Sequence, residues 1–359
     1  MNQVIVKKKH SQHLLHSNKI KESKNILLIT SPGNHERSYI SQFSEQIKPS
    51  DIFLVERYPD YELINQVLNL YQNTKHDLVI SLGGGSVLDL AKIYCMASDA
   101  NQKISSVHEL NQIYSSKIFN IAIPTTAGTG AESTCFSTIW NKETKNKESF
   151  ENIIMLPEVV YLVPSFINSL PDHILIPTML DCISHCLDSL WSKNKTNESL
   201  SLCKKSLSLL IESFELNLNG TYSVISRNKL LEASNLAGQA INITRTSLSH
   251  AISYPLTNKF NLPHGLACAF TLNSINNYFE KEIFIEALEV EVKAILNIVN
   301  NFGLQEIYKS YFTDFSLEQI INEVFMNSRL DNFIVTPTKG DIESIIKLLP
   351  GISSNNELS

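Results

Sequence analysis

Short apolar runs alternate with helical patterns over roughly the first 160 residues, and this alternation then stops. Four runs predict strands, at residues 25–30, 51–56, 77–82 and 119–124. Helical spacing of apolar residues lies between them, at residues 63–71 and 86–97. Alternation of this kind is typical of a parallel sheet that is covered by helices on both faces.

From about Pro164 the pattern is almost entirely helical. Helices are predicted at residues 174–191, 200–217, 224–243, 248–257 and 266–278. We therefore predict two domains, an α/β domain at residues 1–163 and an all-helical domain at residues 164–359. A chain of 359 residues is long enough for two domains that each bury a core. The tail after Leu349 is expected to fray.

The charge of the chain bears on its possible partners, and its cysteine content bears on its cellular compartment. The formal net charge is −6, with both signs interspersed, which argues against a nucleic acid or an anionic membrane surface as the main partner. No apolar run has the length of a membrane span, and the N-terminus lacks the apolar core of a signal peptide. Six scattered cysteines suggest no disulfide framework and fit a reducing compartment. We expect a cytoplasmic protein.

Three consecutive glycines, Gly83, Gly84 and Gly85, leave the third predicted strand and enter a helix through Ser86. Glycine lets the backbone approach a phosphate closely, and a helix N-terminus offers unpaired N–H groups and partial positive charge. We predict a pyrophosphate site here, because an ordinary strand-to-helix turn needs fewer glycines. The pattern is not G-x-G-x-x-G, since Leu88 takes the place of the third glycine.

A second loop rich in hydroxyls and glycine, PTTAGTGAE at residues 124–132, follows the fourth predicted strand. Ligands of open parallel sheets bind outside the carboxyl ends of the strands, so the two loops would share one crevice. Taken alone, this segment is equally consistent with an ordinary turn.

The end of the first predicted strand bears on the choice of cofactor. The strand ends at Ser31, a position where an acidic residue could have bound the ribose 2′-OH, and His35 and Arg37 are near enough to meet a 2′-phosphate. NADH and NADPH both remain open.

Four residues of the helical half form a possible metal-binding set. Asp181 and His185 are four residues apart and share a helix face, and His250 and His264 follow 14 residues apart. Three imidazoles and one carboxylate suit Fe²⁺ or Zn²⁺ and leave a position open for a substrate oxygen. Taken alone, the Asp-x-x-x-His pair would more often be a packed core pair than a ligand pair.

In this order, the segments GGGSVLDLAK, IPTTAGTGAE, DCISHCLDSLWS and HAISYPLTNKFNLPHG resemble the iron-containing alcohol dehydrogenase family. The resemblance covers residues of about 25 to 280. It implies an N-terminal dinucleotide-binding domain with a parallel sheet and an all-α metal-binding domain, an architecture related to the dehydroquinate synthases. It also implies Fe²⁺ or Zn²⁺ on Asp181, His185, His250 and His264. Contacts to NAD(P)H are implied for Gly83, Gly84, Gly85, Ser86, Thr125 and Thr126, with Asp89 and Lys92 nearby.

Two departures from that family concern the substrate. Tyr254 occupies the position where many members carry a second histidine, so protons would pass through Tyr254, cofactor hydroxyls or water. It is equally consistent with the sequence that Tyr254 only lines the pocket. Arg245, Thr246 and Ser247 replace the small residues usual before the third ligand. If the helix of His250 extends back, a guanidinium and two hydroxyls could cradle a phosphonate or phosphate. An ordinary surface arginine is the alternative.

Within the family, TRTSLSHAISYPLT, PHGLACAFTL and LDSLWS are similar to the phosphonoacetaldehyde reductase branch. That similarity implies reduction of phosphonoacetaldehyde, a small anionic aldehyde, to 2-hydroxyethylphosphonate. A general alcohol or diol dehydrogenase, and less readily a lyase of the dehydroquinate synthase type, remain alternatives. A third is a non-catalytic metal-binding protein, which the two glycine-rich loops argue against. Family habit implies a homodimer or a larger homo-oligomer.

Overall fold

The computed structural model describes residues 5–8, 14–56, 58–100, 102–113, 117–144, 146–216, 222–311 and 317–347. It divides into two compact units, residues 1–170 and residues 171–359. The boundary predicted after residue 163 lies shortly before this division. The tail that we expect to fray lies outside the described residues.

Six parallel strands form the central sheet of the first unit, in the order β1-β8-β5-β4-β2-β3. The strands are β1 (Ile5–Lys8), β2 (Ile26–Thr30), β3 (Asp51–Leu54), β4 (Leu78–Gly83), β5 (Phe119–Pro124) and β8 (Val159–Leu162). The antiparallel pair β6 (Phe136–Asn141) and β7 (Asn146–Glu151) forms a separate hairpin. The four predicted strands are confirmed, whereas β1, β8 and the hairpin were not predicted.

Helices cover both faces of this sheet. They are α1 (Asn18–Glu22), α2 (Pro32–His35), α3 (Ser38–Ile47), α4 (Tyr61–Asn73), α5 (Gly85–Ala97) and α6 (Val107–Asn111). Neighbouring residues of β2 show the two-sided burial: Leu27 and Ile29 belong to one apolar core, and Leu28 belongs to the other. Side chains of a strand alternate between faces, so a strand that is covered on both sides reads as a continuous apolar run.

The second unit is helical, and its described residues contain no strand. Its helices are α7 (Asp172–Leu190), α8 (Asn197–Glu215), α9 (Val224–Thr244), α10 (Leu248–Phe260), α11 (His264–Ala269), α12 (Leu272–Tyr278), α13 (Glu280–Ile283), α14 (Glu289–Asn301), α15 (Leu304–Tyr311), α16 (Leu317–Phe325) and α17 (Lys339–Lys347). The predicted combination of an α/β half and an all-α half is confirmed. Among the described helices, none is both long and apolar enough to cross a bilayer.

One predicted helix is in fact two. The segment 266–278 breaks between α11 and α12, at Phe270 and Thr271, where neither glycine nor proline signals an end. Phe270 packs edge-on against Tyr308 with ring centroids 4.4 Å apart. The helix break occurs where Phe270 makes this tertiary contact, and the local spacing of apolar residues does not predict the break.

Candidate functional site

The two glycine-rich loops lie side by side in the first unit. They follow β4 and β5, which are neighbours in the sheet, and the backbone N–H of Thr125 donates to the carbonyl of Gly83 at 3.0 Å. The end of β2 lies beside them, because the Asn34 amide donates to Thr125 Oγ1 at 3.0 Å. Ser31 accepts a hydrogen bond from the backbone N–H of Asn34 and caps α2. The residues predicted to meet the cofactor therefore share one edge of the sheet.

The backbone glycines pack closely where these loops touch. A Cβ atom on Gly84 would lie 3.2 Å from the Thr126 side chain, and one on Gly85 would lie 3.1 Å from Thr129. Gly84 precedes the first turn of α5, in which Ser86 lies, and no side chain caps this turn. A helix start of this kind, with small residues around it, leaves room for a phosphate group.

Asp89 and Lys92, which the resemblance placed near the cofactor, are structural supports. The Lys92 side chain is 0% exposed and forms an ion pair of 2.8 Å with Asp89. Its ammonium also donates to Ala131 O at 3.0 Å and to Thr134 Oγ1 at 3.1 Å. Asp89 accepts from the backbone N–H of Thr138 at 2.9 Å. The hydrogen bonds of Lys92 and Asp89 link the segment after the second loop to α5.

In the second unit, three imidazoles surround one carboxylate oxygen. The Nε2 atoms of His250, His185 and His264 lie 3.5, 3.6 and 3.9 Å from Asp181 Oδ1. These distances exceed normal hydrogen bonds, but two donors at about 2.1 Å from a tetrahedral ion lie about 3.4 Å apart. The structure thus places all three predicted imidazoles around Asp181, at distances that suit a shared cation. His185 approaches Asp181 but is not in the group of donors that all lie within 4.8 Å of one another.

The polar atoms at the centre of this cluster also fit a cation. In the part of the chain that the structure describes, Asp181 Oδ1 and His250 Nε2 are buried and have no hydrogen-bond partner. Burial alone would raise the pKa of Asp181, but the charges of His185, His250 and His264 hold it well below its usual value. An unpaired buried carboxylate is costly, so the donor set is suited to a divalent metal.

Asp188 orients one of the imidazoles and was missed by the sequence analysis. Its carboxylate accepts from His250 Nδ1 at 2.8 Å, which leaves Nε2 to face Asp181. Backbone N–H groups of Ser247 and Ser249 donate to it at 2.8 and 3.1 Å. Such partners fix the tautomer and orientation of a metal-binding histidine. The spacing Asp181-x-x-x-His185-x-x-Asp188 was the available signal, since positions seven apart share a helix face.

The residues predicted to hold an anion have different surroundings from one another. Helix α10 begins at Leu248, so it does not extend back over Thr246 and Ser247. The Ser247 hydroxyl donates to Asp188 Oδ1 at 2.9 Å and is buried, which does not favour a substrate contact. Arg245 adopts φ 68° and ψ 168° at the end of α9.

Gly265 brings His264 to Asp181. A Cβ atom at this position would lie 1.7 Å from the carbonyl oxygen of Pro177 and 3.0 Å from the backbone nitrogen of Asp181. The backbones of α11 and α7 therefore touch at this glycine. In the sequence, Gly265 is only the last residue of a motif; its contact with Pro177 depends on two segments far apart in the chain.

Comparisons with known proteins identify the family of this chain. The family model for iron-containing alcohol dehydrogenases matches residues 2–164, and the model for the C-terminal part of that family matches residues 175–347. A phosphonoacetaldehyde reductase of Streptomyces viridochromogenes is 27% identical over 275 residues, which are 73% of this chain and 69% of that protein. Alcohol dehydrogenase 4 of Saccharomyces cerevisiae is 27% identical over 259 residues, 71% of this chain and 68% of that protein.

Solved structures support the same fold. Sulfoacetaldehyde reductase from Bifidobacterium kashiwanohense, in complex with NAD⁺, superposes with a TM-score of 0.86 at 21% identity and covers 99% of this chain and 98% of that chain. An iron-containing alcohol dehydrogenase from Thermotoga maritima superposes with a TM-score of 0.80 at 23% identity and covers 98% of this chain and 99% of that chain. This protein therefore belongs to the iron-containing alcohol dehydrogenase family and is an oxidoreductase of the alcohol dehydrogenase class.

Proposed function

We propose that this enzyme reduces a small anionic aldehyde, phosphonoacetaldehyde, to 2-hydroxyethylphosphonate. Two similar proteins are named for aldehydes with an anionic group, the phosphonoacetaldehyde reductase of Streptomyces viridochromogenes and the sulfoacetaldehyde reductase of Bifidobacterium kashiwanohense. The single observation that carries the proposal is the backbone conformation of Arg245, five residues before the third predicted ligand, which is strained for a residue with a side chain.

Arg245 has a conformation that is essentially restricted to glycine. Its φ of 68° and ψ of 168° lie in a region where a side chain costs about 1–3 kcal/mol. Such strain persists where the surroundings impose it, and it concentrates at functional sites. A glycine would suit this backbone, so an arginine here favours a function for its side chain.

Hydrogen bonds on both sides hold the strained residue in place. The Asn332 amide donates to the carbonyls of Thr244 and Thr246 at 2.7 and 3.0 Å. The Ser192 hydroxyl donates to the Thr244 carbonyl at 3.2 Å. Because the flanking residues are tethered, Arg245 cannot relax without breaking these bonds.

A second arginine, Arg329, contacts the residue that follows Arg245 and was not predicted from the sequence. Arg329 Nε donates to Thr246 Oγ1 at 3.0 Å, and Arg329 Cζ lies 4.5 Å from the centroid of the Tyr254 ring. Tyr254 in turn stacks against His264 with ring centroids 6.1 Å apart. Arg329 forms no ion pair with a carboxylate of the described ranges. Its charge thus supports an anion site and adds a cation to the predicted set.

The protein's residues divide into three roles in this proposal. Asp181, His185, His250 and His264 hold the cation, which, when bound, polarises a substrate carbonyl and stabilises negative charge developing on its oxygen. The loops at Gly83–Ser86 and at Thr125 and Thr126 hold the nicotinamide cofactor, the source of the hydride. Arg245 and Thr246, with Arg329, orient the anionic group. Tyr254 remains a proposed route for the proton or a wall of the pocket.

Two side chains after β2 bear on the choice of cofactor. Arg37 Nη1 and His35 Nδ1 are buried without a hydrogen-bond partner among the described residues. Both follow the strand end where the adenosine ribose of a dinucleotide is expected. A 2′-phosphate would supply acceptors for these groups, which supports the use of NADPH.

The test is a cofactor-oxidation assay on metal-stripped protein reloaded with Fe²⁺ or Zn²⁺, with NADH and NADPH in parallel. We expect metal-dependent oxidation with phosphonoacetaldehyde and a much higher KM with the neutral propionaldehyde. Equal kcat/KM values for both aldehydes would favour a general alcohol dehydrogenase instead. Absence of any net cofactor oxidation would favour a lyase.

Arg245 gives a sharper test, because two substitutions separate its charge from its strain. We expect Arg245→Ala and Arg245→Gly both to raise KM for phosphonoacetaldehyde about tenfold or more, since a charge-assisted hydrogen bond contributes about 1.5–3 kcal/mol. KM for propionaldehyde should stay within about twofold on the same argument. Arg245→Gly should be more stable than Arg245→Ala by about 1 kcal/mol in denaturant unfolding. Equal KM changes for both aldehydes would rule out the anion contact.

A further inference from the structure

Cys268 is a possible metal donor that the predicted set of three imidazoles and a carboxylate does not include. It lies four residues after His264, and both belong to α11, so their side chains share a helix face. The cysteine is buried and is not in a disulfide. In the sequence it stood among six scattered cysteines, and only the fold places it beside the metal centre.

The thiol lies inside the cluster and not merely near it. The candidate donor atoms of Asp181, His250, His264 and Cys268 all lie within 4.8 Å of one another. Cys268 Sγ is 3.7 Å from His264 Nε2 and 3.9 Å from His264 Nδ1. A nitrogen at about 2.1 Å and a sulfur at about 2.3 Å from a tetrahedral ion are separated by about 3.6 Å. The separation between Sγ and Nε2 is close to this value. Because Sγ lies beside the imidazole, almost as far from Nδ1 as from Nε2, binding of both donors to one ion requires a rotation of the His264 ring or of the Cys268 side chain.

A second observation points to a ligand at this place. Asp181 Oδ1 and His250 Nε2 face the same cluster, and within the described residues both are buried without a hydrogen-bond partner. Two unsatisfied polar atoms beside a buried thiol make a poor apolar core. A cation shared by all of them would satisfy the carboxylate, the imidazole and the sulfur together.

We propose that Cys268 Sγ is an additional donor to the cation, in a mixed sulfur, nitrogen and oxygen site. This inference rests on the metal centre of the proposed function. As the bond from sulfur to the cation forms, the S–H bond breaks and the proton leaves to solvent, and no electron is transferred. A soft thiolate favours Zn²⁺ over Fe²⁺ relative to a site that contains only imidazole and carboxylate.

The experiment is the absorption spectrum of the metal-stripped enzyme after loading with one equivalent of Co²⁺. A thiolate bound to Co²⁺ gives an intense near-ultraviolet charge-transfer band, which imidazole and carboxylate donors do not give. We expect the band in the unaltered enzyme and its loss in Cys268→Ser. Cys203→Ser is the matched control, because Cys203 is also a buried thiol but donates to the Cys186 carbonyl at 3.6 Å.

The bound metal is measured in each sample, so that two failures can be told apart. One bound Co²⁺ without the band would overturn the thiolate donor and leave the metal centre standing. Absence of bound Co²⁺ would overturn both. If Cys268→Ser does not fold, ¹¹³Cd resonance of the unaltered enzyme decides, because a thiolate donor moves the cadmium signal strongly downfield. A signal in the range of oxygen and nitrogen donors would contradict the proposal.

Discussion

His185→Ala is expected to lose the bound cation and at least about a thousandfold in turnover, because about 4 kcal/mol of carbonyl polarisation disappears with the ion. His185 Nε2 lies 3.6 Å from Asp181 Oδ1, and the His185 ring stacks on His250 with centroids 4.8 Å apart. Removal of this imidazole takes one donor and also the surface against which His250 packs. Metal analysis and kcat with saturating cofactor and aldehyde measure the two effects.

The control is another histidine of the same helix. His173 is exposed in the first turn of α7, eight residues before Asp181, and His173→Ala should keep the full metal content. Retention of one tightly bound metal and of full activity in His185→Ala would remove His185 from the ligand set. In that case Asp181, His250 and His264, with or without Cys268, would be left as donors.

Gly265→Ala is expected to destabilise the second unit by at least about 3 kcal/mol, at the upper end of the usual cost of overpacking. The added methyl group would overlap the Pro177 carbonyl, which belongs to backbone and cannot rotate away. Relief requires α11 and α7 to separate, and this moves His264 away from Asp181. Weaker metal binding should therefore accompany the lower unfolding free energy in denaturant titrations.

Gly340→Ala is the matched control in the same unit. Its Cβ would meet only Thr338 Oγ1 at 3.7 Å, an ordinary contact. Replacing glycine where the backbone suits alanine lowers the entropy of the unfolded chain. The free energy of unfolding of Gly340→Ala should therefore be unchanged or higher by about 0.4–1 kcal/mol. A Gly265→Ala protein with unchanged stability and metal affinity would show that the two helices can separate without loss.

The nucleotide-binding half was predictable because its signals are local. An apolar run such as residues 77–82 forms a strand that is buried on both faces, and the glycines after it mark the turn into α5. Parallel strands bring their carboxyl ends to one edge, so two loops far apart in the chain were expected to meet. The strands β1 and β8 were not predicted, although they are as long as the predicted β3, with four residues each, so length alone does not explain the difference.

The candidate site shows where local signals end. Lys92 was expected near the cofactor, but its ammonium is enclosed by carbonyl and hydroxyl oxygens from the segment after the second loop. Ser247 was expected to face a substrate, but its hydroxyl binds Asp188 from a different helix. Each outcome depends on a partner 39 or more residues away, and spacing within one helix carries no information about it.

By itself, the sequence determined four strands of the sheet and the helical character of the second unit, which loops follow those strands, and which imidazoles and carboxylate are available as donors. These properties depend on side-chain periodicity and donor chemistry, and both can be recognised within a segment of a few residues. Only the tertiary structure decided that Asp188 aims His250, that Cys268 reaches the cluster and that Gly265 lets two helices touch. The physical reason is that close packing and hydrogen bonding join atoms whose separation along the chain leaves no local pattern.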